Sequence, residues 1–140
     1  MNFIHLRTGL AACAITVCLS GCVVTASSPG PPPEPVASGT LSLLFTIQGD
    51  TLPSDCDYLD ATEIELVVLE DSDTYTTVYA DCDGFDLSTS LPDGTYDGEV
   101  TLLDADEQPV TTTLYLSTLR VVSGTDLQVA IDFPPSSFLP

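Results

Sequence analysis

The stretch Leu91-Pro92-Asp93-Gly94-Thr95-Tyr96 carries the most specific structural signal in this sequence. Pro-Asp-Gly is typical of a tight turn, because proline restricts φ, aspartate hydrogen-bonds to nearby backbone and glycine tolerates positive φ. Tyr96 then opens residues 96–103, whose β-branched and apolar side chains are typical of a strand. The stretch therefore predicts a turn that leads directly into a strand, with Tyr96 at the junction.

On both sides of this turn the hydrophobic pattern has a period of two. Leu41, Leu43, Phe45 and Ile47 alternate with more polar neighbours, which predicts a half-buried strand. The predicted strands are residues 40–48, 62–70, 75–81, a short segment at 85–87, 96–103, 110–122 and 127–133, and residues 51–61 are predicted to be a loop. Short strands separated by regular turns predict an all-β fold, an antiparallel β-sandwich of about seven strands, with a small up-and-down β-barrel as the alternative.

The turn also carries a family resemblance. Leu-x-x-Gly-x-Tyr at 91–96, followed by a strand, an Asp-rich turn and Pro109-Val110, resembles immunoglobulin-like and carboxypeptidase-regulatory (transthyretin-like) modules over residues 39–133. In such sandwiches a tyrosine corner forms when the phenol hydrogen-bonds to backbone a few residues upstream. The resemblance implies a structural role for Tyr96. The chain has no Trp, unlike antibody domains, so the resemblance implies the architecture and no activity.

A second motif lies near the N-terminus. Leu19-Ser20-Gly21-Cys22 ends an apolar stretch that follows the basic residues His5 and Arg7. This stretch is shorter than the roughly 20 residues that a transmembrane helix needs. It resembles a bacterial lipobox, which implies that residues 1–21 are a signal peptide and that Cys22 is lipidated. The alternative is an ordinary secretory peptide with an incidental cysteine.

The residues after Cys22 predict how the domain is displayed. Lipoproteins with Asp after the lipidated cysteine tend to stay at the inner membrane, so Val23 implies anchoring at the outer membrane, on a face that the sequence leaves open. The proline-rich residues 22–38 are predicted to form an extended tether, with a proline-rich ligand motif as the alternative. Residues 134–140 are predicted to be a C-terminal tail.

Cysteine usage agrees with export. Cys13 and Cys18 lie in the predicted signal peptide, which leaves Cys56 and Cys82 besides the lipidation site. An even pair in an exported chain predicts one disulfide. A usual zinc site is excluded, because the chain after residue 22 has no His and no third cysteine.

Charge excludes several functions. The formal net charge is −19, and Arg120 is the single basic side chain after Cys22. Such a field repels nucleic acid and favours cations or basic partners. Without His or Lys the predicted mature chain has no Ser-His-Asp triad, no Cys-His pair and no Schiff-base lysine, so we predict that it is not an enzyme.

Acidic residues surround both cysteines, and they suggest one metal hypothesis. A disulfide would bring the loop that carries Asp55, Asp57 and Asp60 close to the loop with Asp81, Asp83 and Asp86. Clustered oxygen ligands suit Ca²⁺, although the spacing is not that of an EF-hand. We hypothesise a weak Ca²⁺ site here, and no other cofactor is predicted. The alternative is that these loops are acidic only because they are solvated.

Two functions remain open at the level of sequence. The first is a non-catalytic outer-membrane lipoprotein whose domain binds a protein or glycan partner in the cell envelope through loops or sheet edges. The second is a structural or accessory role, as a spacer or assembly subunit, stabilised by Ca²⁺ if the acidic loops bind it. Exposed apolar surface or an open edge strand would favour binding.

Overall fold

A computed structural model describes residues 34–140 of the chain. The described strands are β1 (Ser38–Ile47), β2 (Glu63–Glu70), β3 (Asp73–Asp81), β4 (Asp86–Pro92), β5 (Gly94–Leu103), β6 (Leu114–Val121) and β7 (Asp126–Phe133). One α-helix, α1 (Pro53–Tyr58), and two 3-10 helices, Cys82–Gly84 and Pro135–Ser137, complete the secondary structure of this region. The predicted signal peptide, Cys22 and residues 22–33 of the predicted tether lie outside the described residues. No helix within residues 34–140 is long and apolar enough to cross a membrane.

The strands form two sheets. One has the order β4-β1-β7 and the other has the order β3-β2-β5-β6. This arrangement confirms the predicted all-β sandwich of seven strands and excludes the barrel alternative. One pairing differs from a purely antiparallel sandwich, because β7 runs parallel to β1 in a register that places Leu44 opposite Ala130.

The inner faces of both sheets form a continuous core. The period-two pattern of β1 is confirmed, since Leu41, Leu43, Phe45 and Ile47 are at most 2% exposed. Burying one large aliphatic or aromatic side chain contributes about 1.5–3 kcal/mol, so this alternation strongly favours one register. The other large, fully buried side chains are Ile64, Leu66, Val68, Leu91, Val100, Leu102, Val121 and Phe133.

Three segments differ from the sequence-based prediction. The strand predicted at 110–122 is shorter, since β6 begins at Leu114 and ends at Val121. The predicted loop at 51–61 contains α1, which begins at Pro53, a residue whose fixed φ suits the first helical turn. The strand predicted at 85–87 extends to Pro92. Consequently β4 ends where the Pro-Asp-Gly turn begins, and this turn carries the chain from the three-stranded sheet to the four-stranded sheet.

The C-terminal residues lie against the segment that precedes β6. Thr112 donates its backbone N–H to the Ser137 carbonyl (2.7 Å), and Leu139 donates to the Val110 carbonyl (2.9 Å). Phe138 packs against the core. Residues 134–140 therefore contribute to the sandwich.

Candidate functional site

Tyr96 fastens the corner between the two sheets. Its hydroxyl donates a hydrogen bond to the Pro92 carbonyl at 3.1 Å, and its side chain is 2% exposed. This is the contact that the tyrosine-corner resemblance implies. Burial raises the pKa of the Tyr96 phenol, with a smaller effect of the same sign from Glu70. A Cβ on Gly94 would lie 3.0 Å from the Tyr96 ring, so glycine allows the close packing of this corner.

The predicted disulfide between Cys56 and Cys82 is confirmed. The two Cα atoms are 6.1 Å apart, and both residues are almost completely buried. Cys56 lies on α1, in the connection between β1 and β2, whereas Cys82 lies in the connection between β3 and β4. The bond therefore ties together two crossings between the sheets.

The acidic residues around this disulfide are spread over more than one surface. Asp57, Asp81 and Asp83 line a shallow cavity of about 420 Å³ beside the two sulfurs. Asp55 and Asp86 are not among its lining residues, and Asp60 lines a different surface. Within residues 34–140 no three acidic, His or Cys side chains are grouped closely enough to hold a metal ion.

The local geometry explains this spread of carboxylates. Asp55 and Asp57 are two positions apart on α1, and side chains at that spacing point to different sides of a helix. Asp57, Asp60, Asp81, Asp83 and Asp86 are exposed and Asp55 is half-buried, and like charges in water favour orientations that keep them apart. The Ca²⁺ site therefore stays a prediction from the sequence.

The outer face of the four-stranded sheet has polar side chains that bond to one another. Tyr79 donates to a Glu65 carboxylate oxygen at 2.8 Å, and this hydrogen bond is the largest cause of the raised pKa of Tyr79. The Thr101 and Thr113 hydroxyls are 3.1 Å apart. Tyr115, 77% exposed, is the most exposed aromatic residue of this face.

By contrast, the outer face of the three-stranded sheet has an apolar depression. Leu44, on the central strand β1, points outward and is 47% exposed. It pairs with Asp86 on β4 and with Ala130 on β7, and the small Ala130 side chain leaves room beside it. We call this the sheet-face depression; it has a volume of about 810 Å³ and is lined by Leu44, Phe45, Thr46, Thr51, Gly84, Phe85, Asp86, Ala130, Ile131 and Asp132.

Two features fix the margin of the sheet-face depression. The Asp132 carboxylate accepts hydrogen bonds from the Thr46 hydroxyl and the Gly49 backbone N–H, both at 2.7 Å. Phe85 adopts a left-handed conformation with φ of 55°, which is costly for a bulky side chain. Its carbonyl accepts from the Phe45 N–H at 3.1 Å, and its ring lies 5.3 Å from the Phe45 ring. The margin is therefore held in one arrangement.

The depression is of a size and character that suit binding. Ligand sites typically measure about 300–1,000 Å³ and combine apolar walls with a few polar groups. Here the polar groups at the margin include Asp86 and Asp132, so the site favours an apolar group accompanied by positive charge. Sequence reasoning did not identify this site, although Leu44 was a signal, since it is the one large apolar residue on the otherwise polar face of β1.

No family model and no curated protein matches this sequence. Solved structures resemble it only distantly. A leucine-rich repeat protein from Bacteroides thetaiotaomicron matches with a TM-score of 0.46 and 18% identity, over 69% of this chain and 12% of that chain. A type II cohesin–X-dockerin complex from Acetivibrio cellulolyticus matches with a TM-score of 0.43 and 15% identity, over 72% of this chain and 55% of that chain. These similarities assign neither a family nor a function.

Proposed function

We propose that this protein is a non-catalytic binding module of the bacterial envelope, held at the outer membrane by lipid on Cys22. The observation that carries the binding proposal is the sheet-face depression, which presents Leu44 to solvent between two carboxylate-bearing strands. The partner that fits it has an apolar side chain flanked by positive charges, as in a basic stretch of another envelope protein. The net charge of −19 would attract such a partner.

The non-catalytic part of the proposal rests on chemistry. The sequence after Cys22 has no His and no Lys, and Arg120 is its one basic side chain. A Ser-His-Asp triad, a Cys-His pair and a Schiff-base lysine are therefore missing. Among the described tyrosines, Tyr79 and Tyr96 have raised pKa values. The main causes are the hydrogen bond to Glu65 for Tyr79 and burial for Tyr96.

The membrane anchor can be tested separately from binding. We expect the wild-type chain, expressed in a bacterium that processes lipoproteins, to be recovered with the membranes and to carry the added mass of its acyl chains. Cys22→Ser should move the protein to the soluble fraction, because one thiol receives the diacylglycerol that anchoring needs. Equal recovery of both proteins with the membranes, without added mass, would contradict lipidation at Cys22.

Binding at the depression can be tested with a defined probe. We expect acetyl-Arg-Leu-Arg-amide, titrated into the isotope-labelled full chain, to cause saturable amide shifts around residues 44, 86 and 130. Leu44→Thr should weaken binding about tenfold, since it removes roughly 1–2 kcal/mol of apolar contact.

Leu139→Thr is the matched control for this experiment. Leu139 is 45% exposed, close to the value for Leu44, and it lines a different surface. Its substitution should leave binding unchanged. If Leu44→Thr bound as tightly as the wild type, or if the shifts fell on the four-stranded sheet, the depression would not be the binding site, and a spacer or assembly role would be the better interpretation.

A further inference from the structure

We propose that the outer edge of β7, which no strand within residues 34–140 pairs with, is a second docking site that binds an extended segment of another protein in which aliphatic and basic residues alternate. The segment would add a strand to the three-stranded sheet. Main-chain hydrogen bonds would supply affinity and the alternate side chains would supply specificity, as in other cases of strand addition. This site shares Ile131 and Asp132 with the sheet-face depression, but it runs along the edge of β7 and does not use Leu44, so the two proposals can be tested separately.

The apolar side of β7 is incompletely covered. β7 is the last strand of its sheet, next to the central strand β1. Leu127, Val129 and Ile131 point inward and pack against the core, yet all three are only half-buried. Their equivalents on β1 are fully buried. A strand beyond β7 would remove this remaining aliphatic surface from water.

The other edge strands of the described sandwich do not combine a regular, open edge with half-buried aliphatic side chains. β4 ends at Pro92, and its inward residues Leu87 and Leu91 are already buried. β6 contains Thr118 in a left-handed conformation, at a register irregularity in its pairing with β5. Bulges and prolines are devices that blunt a sheet edge against pairing.

β3 is the remaining edge strand, and it is less suited to docking. Its inward positions opposite β2 are occupied by Thr76, Val78 and Ala80, which offer less apolar surface than the residues of β7. Its pairing with β2 also shifts register between Val68 and Leu69. β7 pairs with β1 without any shift from Asp126 to Phe133.

Charge identifies the kind of segment that fits. Asp126 and Asp132 are exposed on the outward side of β7 and lie about 20 Å apart along the strand. Asp126 accepts from the Ser42 hydroxyl at 2.7 Å and Asp132 from the Thr46 hydroxyl at 2.7 Å. Each carboxylate retains oxygen lone pairs that can accept from an arginine on a neighbouring strand.

These constraints define a seven-residue sequence. Positions 1 and 7 are basic and face outward, beside Asp126 and Asp132, whereas positions 2, 4 and 6 are aliphatic and face inward, beside Leu127, Val129 and Ile131. A second copy of this chain does not fit, because two chains with a formal charge of −19 repel each other.

The test uses the isotope-labelled full chain in mild detergent and the peptide acetyl-Arg-Leu-Thr-Val-Thr-Leu-Arg-amide. We expect amide shifts and slowed hydrogen exchange confined to residues 126–133. The same peptide with both arginines replaced by glutamate should bind about tenfold more weakly, and salt should weaken the arginine peptide more than the glutamate peptide. Leu44→Thr should leave the effect intact, which separates this proposal from binding at the depression.

Two valines provide a matched pair of variants. Val129→Lys places an inward-pointing charge on β7, a device that natural edges use against pairing, and it should weaken peptide binding about tenfold. Val78→Lys makes the same change at a half-buried valine on β3 and should leave binding unchanged. If Val129→Lys does not fold, Asp126→Asn provides the second test and should weaken the arginine peptide several-fold while sparing the glutamate peptide.

Several results would overturn the proposal. If Val129→Lys and Val78→Lys lost peptide binding equally, binding would not depend on the edge of β7. Protection from hydrogen exchange on β3 instead of β7 would contradict the proposed site. Equal affinity for the arginine and glutamate peptides would contradict its preference for positive charge. Protection of β7 in the absence of peptide, with a dimer seen by sedimentation, would assign this edge to a second copy.

Discussion

The two sheets of the sandwich bury similar inner faces and present different outer surfaces. On the four-stranded sheet, outward side chains bond to one another, as Tyr79 does to Glu65 and Thr101 to Thr113. On the three-stranded sheet, Leu44 and the inward stripe of β7 leave apolar surface in contact with water. Both sheets therefore contribute to stability, but the apolar surface that they leave exposed differs in kind. The exposed large side chains of the four-stranded sheet are Tyr75, Tyr79 and Tyr115, whereas the three-stranded sheet exposes aliphatic surface, which suits an interaction site.

Two adjacent leucines on β1 test which face of the strand is buried and which is exposed. Leu43 is 0% exposed and Leu44 is 47% exposed, although both lie on β1. Leu43→Ala should reduce the free energy of unfolding by about 2–5 kcal/mol, because it removes buried surface and leaves a cavity. Leu44→Ala should reduce it by less than about 1 kcal/mol. Urea unfolding measures both, and equal losses would contradict the assignment of the two faces.

Removing the disulfide should have the next largest effect. Cys56→Ala combined with Cys82→Ala opens a loop with a sequence separation of 26 residues, which should lower the free energy of unfolding by about 3 kcal/mol. Because the bond ties two crossings between the sheets, the loss should affect both sheets together. If hydrogen exchange showed that the two sheets of the wild type unfold separately, the disulfide would not couple them.

The tyrosine corner should contribute less than the disulfide. Tyr96→Phe keeps the buried ring and removes the hydrogen bond to the Pro92 carbonyl, at an expected cost of about 1 kcal/mol. Tyr115→Phe, on the exposed outer face, is the matched control and should be nearly neutral. Equal thermal midpoints for wild type and Tyr96→Phe would indicate that packing alone holds the corner.

Alkaline pH should have the smallest effect on the free energy of unfolding. Burial raises the pKa of Tyr96, so folding favours its neutral form. The stability that this preference contributes is fully present below about pH 10, the ordinary pKa of tyrosine, and is lost as the pH rises through the raised value. The difference in urea midpoint between wild type and Tyr96→Phe should therefore stay constant below about pH 10 and narrow as the pH rises above it. A difference independent of pH would contradict this cause.

Local sequence signals predicted much of the fold. Period-two alternation located β1, β2, β5 and β7, and Tyr96 marked the corner, because both signals depend on neighbours within a few residues. The helix α1 was missed, since six residues with three acidic or polar side chains carry no helical period. The full length of β4 was also missed, because its alternation consists largely of serine and threonine.

The candidate site could not be predicted in the same way. The sheet-face depression depends on Asp86, Leu44 and Ala130 lying in one row across three strands. That row requires the parallel pairing of β1 with β7, which joins the two ends of the domain and leaves no local mark in the sequence. The Ca²⁺ hypothesis rested on nearness in sequence to the disulfide, and such nearness does not determine in which direction the carboxylates point, so it stays a prediction.

The most direct test of the proposed binding asks which of the two sheets contacts the peptides. Both arginine peptides, acetyl-Arg-Leu-Arg-amide and acetyl-Arg-Leu-Thr-Val-Thr-Leu-Arg-amide, would be titrated separately into the isotope-labelled full chain while all backbone amides are followed by NMR. We predict saturable shifts confined to β1, β4 and β7, the three-stranded sheet. Shifts concentrated on β3, β2, β5 and β6, or shifts spread evenly over both sheets, would contradict the assignment of binding to the three-stranded sheet.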